Sequence, residues 1–244
     1  MENTKPVYRP HKLSLDDIKD GCVRMYGPNG TETEICVAQE ELRAGVDFIR
    51  KYDRSVTFFG SHILGPETEY YKKAEHLAGR IARELNYAVA SGGGPGIMEA
   101  VNKGAFEAGG QSLGLTIQLH GEAPSTYLTD RIDFTFFFNR KTILGYQAEV
   151  YIFFPGSYGT LDELFTMMIL IATKKILPAP LILVGIEFWK DMISFFEKTI
   201  RDGVTPPDYL SYFTITDSED EIIDIIKNAP LRRDNSLYAA SNGK

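Results

Sequence analysis

Short apolar runs along this chain alternate with segments in which apolar residues recur every three or four positions. The second pattern is typical of helices with one buried face, and the short runs predict strands. Strands alternating with helices at this spacing favour an α/β, Rossmann-like, doubly wound fold, with a mostly parallel sheet and helices on both faces. The predicted strands are residues 56–59, 87–90, 112–117, 132–137, 150–154 and 181–184, with a last edge strand at 213–215.

The same pattern suggests how the chain is organised. Residues 1–54 are expected to form an N-terminal extension with a packing helix at 37–52, preceded by a short helical segment at 13–18 and a turn at 27–30. Residues 55–228 show no repeat or linker, so we expect one Rossmann-like domain that closes with a helix at 219–227. The remaining residues, 229–244, are expected to form a polar tail.

Composition and charge narrow the class of protein. The 244 residues include 26 Lys and Arg against 33 Asp and Glu, a net charge of −7, with no dense basic run. A nucleic-acid partner is therefore not expected. The start of the chain lacks the apolar core of a signal peptide, and no apolar run is long enough for a membrane span. Two cysteines, Cys22 and Cys36, favour a reducing compartment over a disulfide framework, so we expect a cytoplasmic protein.

Three small, polar loops follow predicted strands, and the carboxyl ends of parallel strands meet at one rim of a sheet. Each loop could simply punctuate a connection, but three on one rim favour a binding site. Neither glycine-rich loop fits the dinucleotide pattern G-x-G-x-x-G, and no P-loop is present, so a mononucleotide phosphate is the better ligand. The loop residues expected to bind it are Gly60 and Ser61; Gly92, Gly93, Gly94 and Gly96; and Gly156, Ser157, Tyr158, Gly159 and Thr160.

The charged residues near this rim allow two interpretations. Thr160 and Glu163 have the spacing of a capping box, in which both side chains satisfy the free donors of a helix that Thr160 opens, and the sequence alone favours that reading. Glu163 also lies off the apolar stripe of its helix, beside the phosphate loop. Arg140 and Lys141 follow the fourth strand and are either solvated surface or ligands for an anion.

The sequence gives less support to metal-dependent or histidine-based chemistry. The four histidines show no metal or triad spacing, and we expect neither a metal nor a cofactor. Glu99, in the first turn after the second glycine loop, either complements the helix dipole or reaches a ribose hydroxyl.

Three segments in order resemble the LONELY GUY (LOG) family: SGGGPGIMEAVNKGAFEAGG at 91–110, FFNRK at 137–141 and PGSYGTLDE at 155–163. The third is close to the family signature PGGxGTxxE. The similarity runs from about residue 56 to about residue 186 and is closest to the longer bacterial members. Arg140 precedes Glu163 by the interval that the catalytic pair of the family requires. Members were often labelled lysine decarboxylases.

The resemblance implies a phosphoribohydrolase that cuts the N-glycosidic bond of cytokinin riboside 5'-monophosphates or AMP-like nucleotides and works as a homodimer. In such an enzyme Glu163 would be the carboxylate that stabilises positive charge on the sugar, and Arg140 would hold Glu163 or the sugar in place. Lys141, Glu99 and the three loops would bind the substrate. A pyridoxal-phosphate lysine decarboxylase is not supported, since no lysine has a recognisable Schiff-base setting.

One residue departs from the signature, because Ser157 occupies the position of its second glycine. A side chain there would cost on the order of 1 to 2 kcal/mol if the backbone needed positive φ. Its hydroxyl could alternatively donate to the phosphate. The alternative function is therefore a nucleotide-binding or sensing module that has lost turnover.

Overall fold

A computed structural model describes residues 22–23, 30–117, 124–146 and 148–231. In it, seven parallel strands form one sheet in the order β4-β3-β2-β1-β5-β6-β7. The predicted α/β, Rossmann-like fold is confirmed. The strands are β1 Ser55–Phe59, β2 Ala88–Ser91, β3 Ser112–Ile117, β4 Asp130–Phe134, β5 Val150–Phe153, β6 Leu181–Leu183 and β7 Phe213–Ile215.

Helices cover both faces of the sheet because neighbouring strand residues point to opposite sides. In β5, Val150 and Ile152 are buried with the helices of one face, whereas Tyr151 and Phe153 are buried with those of the other. The first face is covered by α2 (Glu69–Arg80), α3 (Ile97–Glu107) and α7 (Glu219–Asn228), and the second by α1 (Thr31–Ile49), α4 (Phe137–Leu144), α5 (Tyr158–Ala172) and α6 (Ile186–Arg201). A π-helical turn, Ile81–Leu85, continues α2, and a 3-10 helix, Pro207–Tyr212, precedes β7.

The fourth strand is the main correction to the predicted elements. The run at 132–137 was expected to be extended throughout, but β4 is Asp130–Phe134 and Phe137 is the first residue of α4. Apolar residues of this kind fit a strand or a buried helix equally well, so periodicity alone misplaces the boundary. The predicted helix at 13–18, most of the turn at 27–30 and residues 232–244 of the predicted tail lie outside the described residues.

Cys22 and Cys36 are joined by a disulfide, with their Cα atoms 5.8 Å apart. The low number of cysteines predicts reduced thiols, and the disulfide contradicts that prediction. Disulfides persist in oxidising compartments and are rare in the cytosol, so a cytoplasmic location stays a prediction with this bond against it. No helix in the described ranges has the length and apolar character needed to cross a membrane.

Candidate functional site

A cleft opens at the topological switch point of the sheet, where the strand order changes direction. β1 lies between β2 and β5, and the connections from these strands leave in opposite directions, which creates a crevice at their carboxyl ends. The cavity there measures about 580 Å³. Eleven of the residues singled out from the sequence line it: Gly60, Ser61, Gly92, Gly93, Gly94, Arg140, Lys141, Ser157, Gly159, Thr160 and Glu163.

The other four predicted site residues do not line this cavity. Glu99 accepts a hydrogen bond from the Tyr71 hydroxyl at 3.0 Å, which supports a structural role. Tyr158 is 90% exposed and lies outside the cavity wall. Gly96 and Gly156 belong to the turns that shape the loops rather than to their inner surface.

Hydrogen bonds tie the three loops together. The backbone N–H of Ser61 donates to the Pro155 carbonyl at 2.9 Å, and the Ser61 carbonyl accepts from the N–H of Ile97 at 2.9 Å. Gly96 lies at this junction with φ of 69°, and a Cβ there would come within 2.4 Å of the Ser61 carbonyl oxygen. The close approach of the first two loops therefore requires glycine at position 96.

The third loop forms the start of α5. Ser157 is the N-cap residue, with φ of −98° and ψ of −152°, so its Cβ causes no strain. α5 begins at Tyr158, and the N–H groups of its first turn have no acceptor within the helix. Together with the helix dipole they favour an anion at this end. The predicted start of the helix at Thr160 is wrong by two residues.

That earlier start removes the capping-box reading of Glu163. Thr160 is the third residue of α5 and Glu163 the sixth, and the side chain of the N-cap residue, Ser157, forms no capping hydrogen bond. Both residues instead line the cleft, one turn into the helix. Glu163 therefore plays no part in capping α5.

The environment of Glu163 is unusual for a carboxylate. Its side chain is partly buried, and no hydrogen-bond donor contacts it within the part of the chain that the structure describes. Burial raises its pKa to about 7, against the opposing charges of Lys141 and Arg140 and with a further increase from Asp162. Loss of hydration disfavours the charged form, and the attraction of the two cations offsets only part of the hydration free energy that is lost. Glu163 can therefore gain or lose a proton near neutral pH.

Arg140 is fixed by backbone carbonyls at the ends of two strands. Its Nε–H donates to the Leu115 carbonyl at 2.6 Å, and an Nη2–H donates to the Gly92 carbonyl at 3.2 Å. The guanidinium fills the space beside Gly92, where a Cβ would lie 2.0 Å from Nη2. Next to it, Lys141 forms an ion pair with Asp162 at 2.7 Å. The cleft thus holds a fixed positive charge near Glu163.

Apolar side chains also line the cleft, and sequence reasoning missed them. Phe137 and Phe138 are 60% and 58% exposed although both border the cleft. Exposed aromatic faces in a cleft suit a flat aromatic ligand. The unpredicted lining residues are Phe58, Phe59, His62, Met98, Thr116, Ile117, Pro124, Phe137, Phe138, Leu144 and Asp162. In the described ranges, no three metal-ligating side chains cluster.

Curated relatives carry names that describe one reaction. A cytokinin riboside 5'-monophosphate phosphoribohydrolase of Arabidopsis thaliana is 28% identical over 177 residues, which cover 71% of this chain and 76% of that protein. A probable cytokinin riboside 5'-monophosphate phosphoribohydrolase of Oryza sativa subsp. japonica is 25% identical over 210 residues, covering 85% and 91%. These proteins are distant homologues along most of their length.

Similar solved structures support the fold. The molybdenum cofactor carrier protein of Chlamydomonas reinhardtii superposes with a TM-score of 0.54 at 20% identity, over 72% of this chain and 98% of that one. The model of a family described as "Possible lysine decarboxylase" matches residues 98–226, which is more than half of the chain and includes α4, β5 and α5. This match and the homologous phosphoribohydrolases place the chain in the LOG/lysine decarboxylase-like family.

Proposed function

We propose that this protein hydrolyses the N-glycosidic bond of a purine-type nucleoside 5'-monophosphate, AMP or a cytokinin nucleotide, to free base and ribose 5-phosphate. The observation that carries the proposal is Glu163, a carboxylate without a hydrogen-bond donor in the described ranges, in a cleft that also holds Arg140 and the start of α5. The names of the homologous proteins support the same reaction.

The cleft offers a separate surface to each part of such a substrate. The loop from Gly156 to Thr160 and the first turn of α5 would bind the 5'-phosphate through backbone N–H groups. The faces of Phe137 and Phe138 would contact the base. The ribose would then lie between the phosphate site and the aromatic side chains, with its C1' towards Glu163. We propose the predicted residues of the first two loops that line the cavity, Gly60, Ser61, Gly92, Gly93 and Gly94, as the walls that hold this arrangement.

The proposed chemistry uses the charge of Glu163. As the bond between C1' and the base nitrogen breaks, its electron pair leaves with the base and positive charge develops on the sugar. Ionised Glu163 stabilises that charge and orients a water molecule, whose oxygen bonds to C1' and keeps one proton as the new hydroxyl, while its other proton passes to the base. Arg140 keeps the site rigid and holds down the pKa of Glu163. Activity therefore requires the ionised carboxylate and should rise with pH through about 7.

We also propose that the protein acts as a homodimer, and we keep the cytoplasm as its proposed location although the Cys22–Cys36 disulfide opposes it. α5 exposes two large apolar residues, Phe165 at 37% and Ile169 at 54%, and an apolar helix face of this kind suits contact with a second copy. Light scattering should give twice the mass of the chain. A monomer at micromolar concentration would contradict the assembly but leave the reaction open.

The direct test incubates the purified protein with AMP and with isopentenyladenosine monophosphate and measures ribose 5-phosphate. We expect release from at least one nucleotide, and a loss of about 10³-fold in Glu163→Gln, which keeps the size of the side chain but not its charge. Glu99→Gln is the matched control, because Glu99 contacts Tyr71 outside the cavity. Equal rates in wild type and Glu163→Gln would contradict the proposal.

Calorimetry with the same nucleotides separates catalysis from binding. The φ of Ser157 removes the backbone strain that would favour a non-catalytic module. Tight nucleotide binding with no release of ribose 5-phosphate would nevertheless select that alternative. Absence of both would exclude a nucleotide site in this cleft.

A further inference from the structure

The helix that carries Arg140 and Lys141 is poorly stabilised by its own sequence. α4 has eight residues, no acidic residue in its first turn, and an N-cap, Phe136, whose side chain forms no capping bond. Helices this short are marginal in isolation, so their position depends on contacts from elsewhere in the fold. What fixes α4 therefore also fixes the cations of the cleft.

A buried carboxylate from α1 holds the turn that leads into α4. Glu41 is 1% exposed and accepts hydrogen bonds from the N–H of Thr135 at 2.7 Å and from the N–H of Phe136 at 3.3 Å. It also accepts from the Asn139 side-chain amide at 3.1 Å. All three donors belong to the turn into α4 or to its first residues. A buried carboxylate is tolerated when donors surround it, and the positive end of the helix dipole adds to this.

Two further contacts between α1 and α4 keep the helices in register. The Asn139 amide also donates to the Ala38 carbonyl at 2.8 Å, and Asn139 directly precedes Arg140. One helical turn beyond Glu41, a Cβ on Gly45 would lie 2.6 Å from the Ile143 side chain. The two helices therefore pack closely on either side of the Glu41 contacts, and α4 has little freedom to move.

We infer that Glu41 is a positioning residue for the cleft, although it lies outside the residues that surround the ligand. Glu41 acts through the start of α4, which sets where the guanidinium of Arg140 and the ammonium of Lys141 lie relative to Glu163. This inference rests on the proposed function for its kinetic consequence. Its structural part, the control of Arg140 by Glu41, does not.

The kinetic test compares Glu41→Gln with Glu40→Gln, a control on the same helix whose half-buried side chain forms an ion pair with Arg43. In Glu41→Gln an amide NH₂ replaces one oxygen and faces the donors of the turn, so α4 shifts. Small displacements of catalytic groups cost up to about 100-fold in rate. We expect kcat to fall by about 10- to 100-fold with KM changed less than about threefold. The midpoint of the pH profile of kcat should also move upward, because the cations would lie further from Glu163.

A second measurement follows Arg140 without any assay. In a protein labelled with ¹⁵N-arginine, the Nε–H signal of Arg140, assigned by its loss in Arg140→Lys, should be protected from solvent exchange by the Leu115 carbonyl. We expect Glu41→Gln to shift that signal and to speed its exchange at least about tenfold, with Glu40→Gln like wild type. If Glu41→Gln does not fold, Asn139→Ala, which removes only the side-chain part of the contact, should give the same change.

These outcomes separate the two proposals. An unchanged Arg140 signal in a folded variant would overturn the inference whatever the activity. A changed signal in a protein that cleaves no nucleotide would uphold the control of Arg140 and reject the proposed function. A fall in kcat no larger than the fall in folded protein, measured by near-UV circular dichroism, would reduce Glu41 to a purely structural residue and overturn the inference.

Discussion

Two carboxylates at the amino end of the sheet and Glu163 at its carboxyl end differ in their hydrogen-bond partners. At the amino end, Glu149 accepts a hydrogen bond from the N–H of Ser55 at 2.7 Å, and Asp130 accepts one from the Tyr52 hydroxyl at 2.7 Å. At the carboxyl end, Glu163 accepts none from the described residues. The three carboxylates therefore differ in whether hydrogen-bond donors contact them.

The difference separates carboxylates that stabilise the fold from one that is available for chemistry. A buried charge that accepts hydrogen bonds recovers part of its lost hydration, whereas one without donors makes the folded state less stable. Glu163 is also the carboxylate whose pKa is raised to about 7. An ionisable group kept in this condition beside a cleft is typical of an active site.

The largest effect that tests this contrast is expected from Arg140→Lys. A lysine keeps the charge but cannot donate to the Leu115 and Gly92 carbonyls in the geometry of a guanidinium. We expect kcat/KM to fall about 100-fold in the ribose 5-phosphate assay. A value within about threefold of wild type would mean that only the charge, and not its fixed position, matters at the carboxyl end.

At the amino end, Glu149→Gln should destabilise the fold and leave the chemistry unchanged. The change weakens a charged hydrogen bond to the Ser55 N–H in a fully buried position. We expect the free energy of unfolding in urea to fall by about 2 kcal/mol and kcat to stay within about twofold. A selective loss of activity would show that the two ends of the sheet are coupled.

Glu163→Gln should have the opposite effect on stability. The folded-state pKa of about 7 lies above the ordinary glutamate pKa of 4.5, so the folded protein binds the proton more tightly than the unfolded chain does. The contribution of Glu163 is therefore most favourable below pH 4.5 and is lost as the pH rises through 7. We expect the variant to be more stable than wild type by on the order of 1 to 2 kcal/mol at pH 8.

Urea melts across pH 4 to 9 provide the measurement. The stability difference between Glu163→Gln and wild type should grow between pH 4.5 and 7, the range set by the two pKa values. Glu99→Gln serves again as a control. A difference that is the same at every pH would indicate that the charge of Glu163 is not the cause.

The smallest expected effects come from the ion pair between Lys141 and Asp162. Lys141 lowers the pKa of Glu163 and Asp162 raises it. Lys141→Met should therefore move the midpoint of the pH profile of kcat/KM upward, and Asp162→Asn should move it downward, each by about half a pH unit or less. Shifts in the same direction would mean that another group controls the profile.

Much of the fold could be predicted because the local pattern and the tertiary structure agree. The strand at Ser112–Ile117 has its predicted bounds, and the predicted run at 150–154 differs from β5 by one residue. The start of α4 could not be predicted, because Phe137 and Phe138 continue an apolar run that suits a strand. The carboxylate that binds the turn before this helix is that of Glu41, nearly a hundred residues earlier in the chain.

The candidate site was predictable where it depends on strand ends and not where it depends on helix starts. The loops at Gly60, Gly92 and Gly159 follow predicted strands, and all border the cleft. The role of Glu163 was ambiguous, because the same four residues describe a capping box and an ordinary stretch of helix. A two-residue difference in the start of α5 decides between them, and helix boundaries are uncertain by at least that much.

The hydrogen bonds that join the loops of the cleft have a consequence for the thermodynamics of binding. Ser61 connects the loop after β1 both to Pro155 and to the start of α3, so the chain loses the conformational entropy of these loops when it folds. A ligand that enters does not have to order them again. The backbone donors of the rim are therefore presented to each arriving nucleotide already in place.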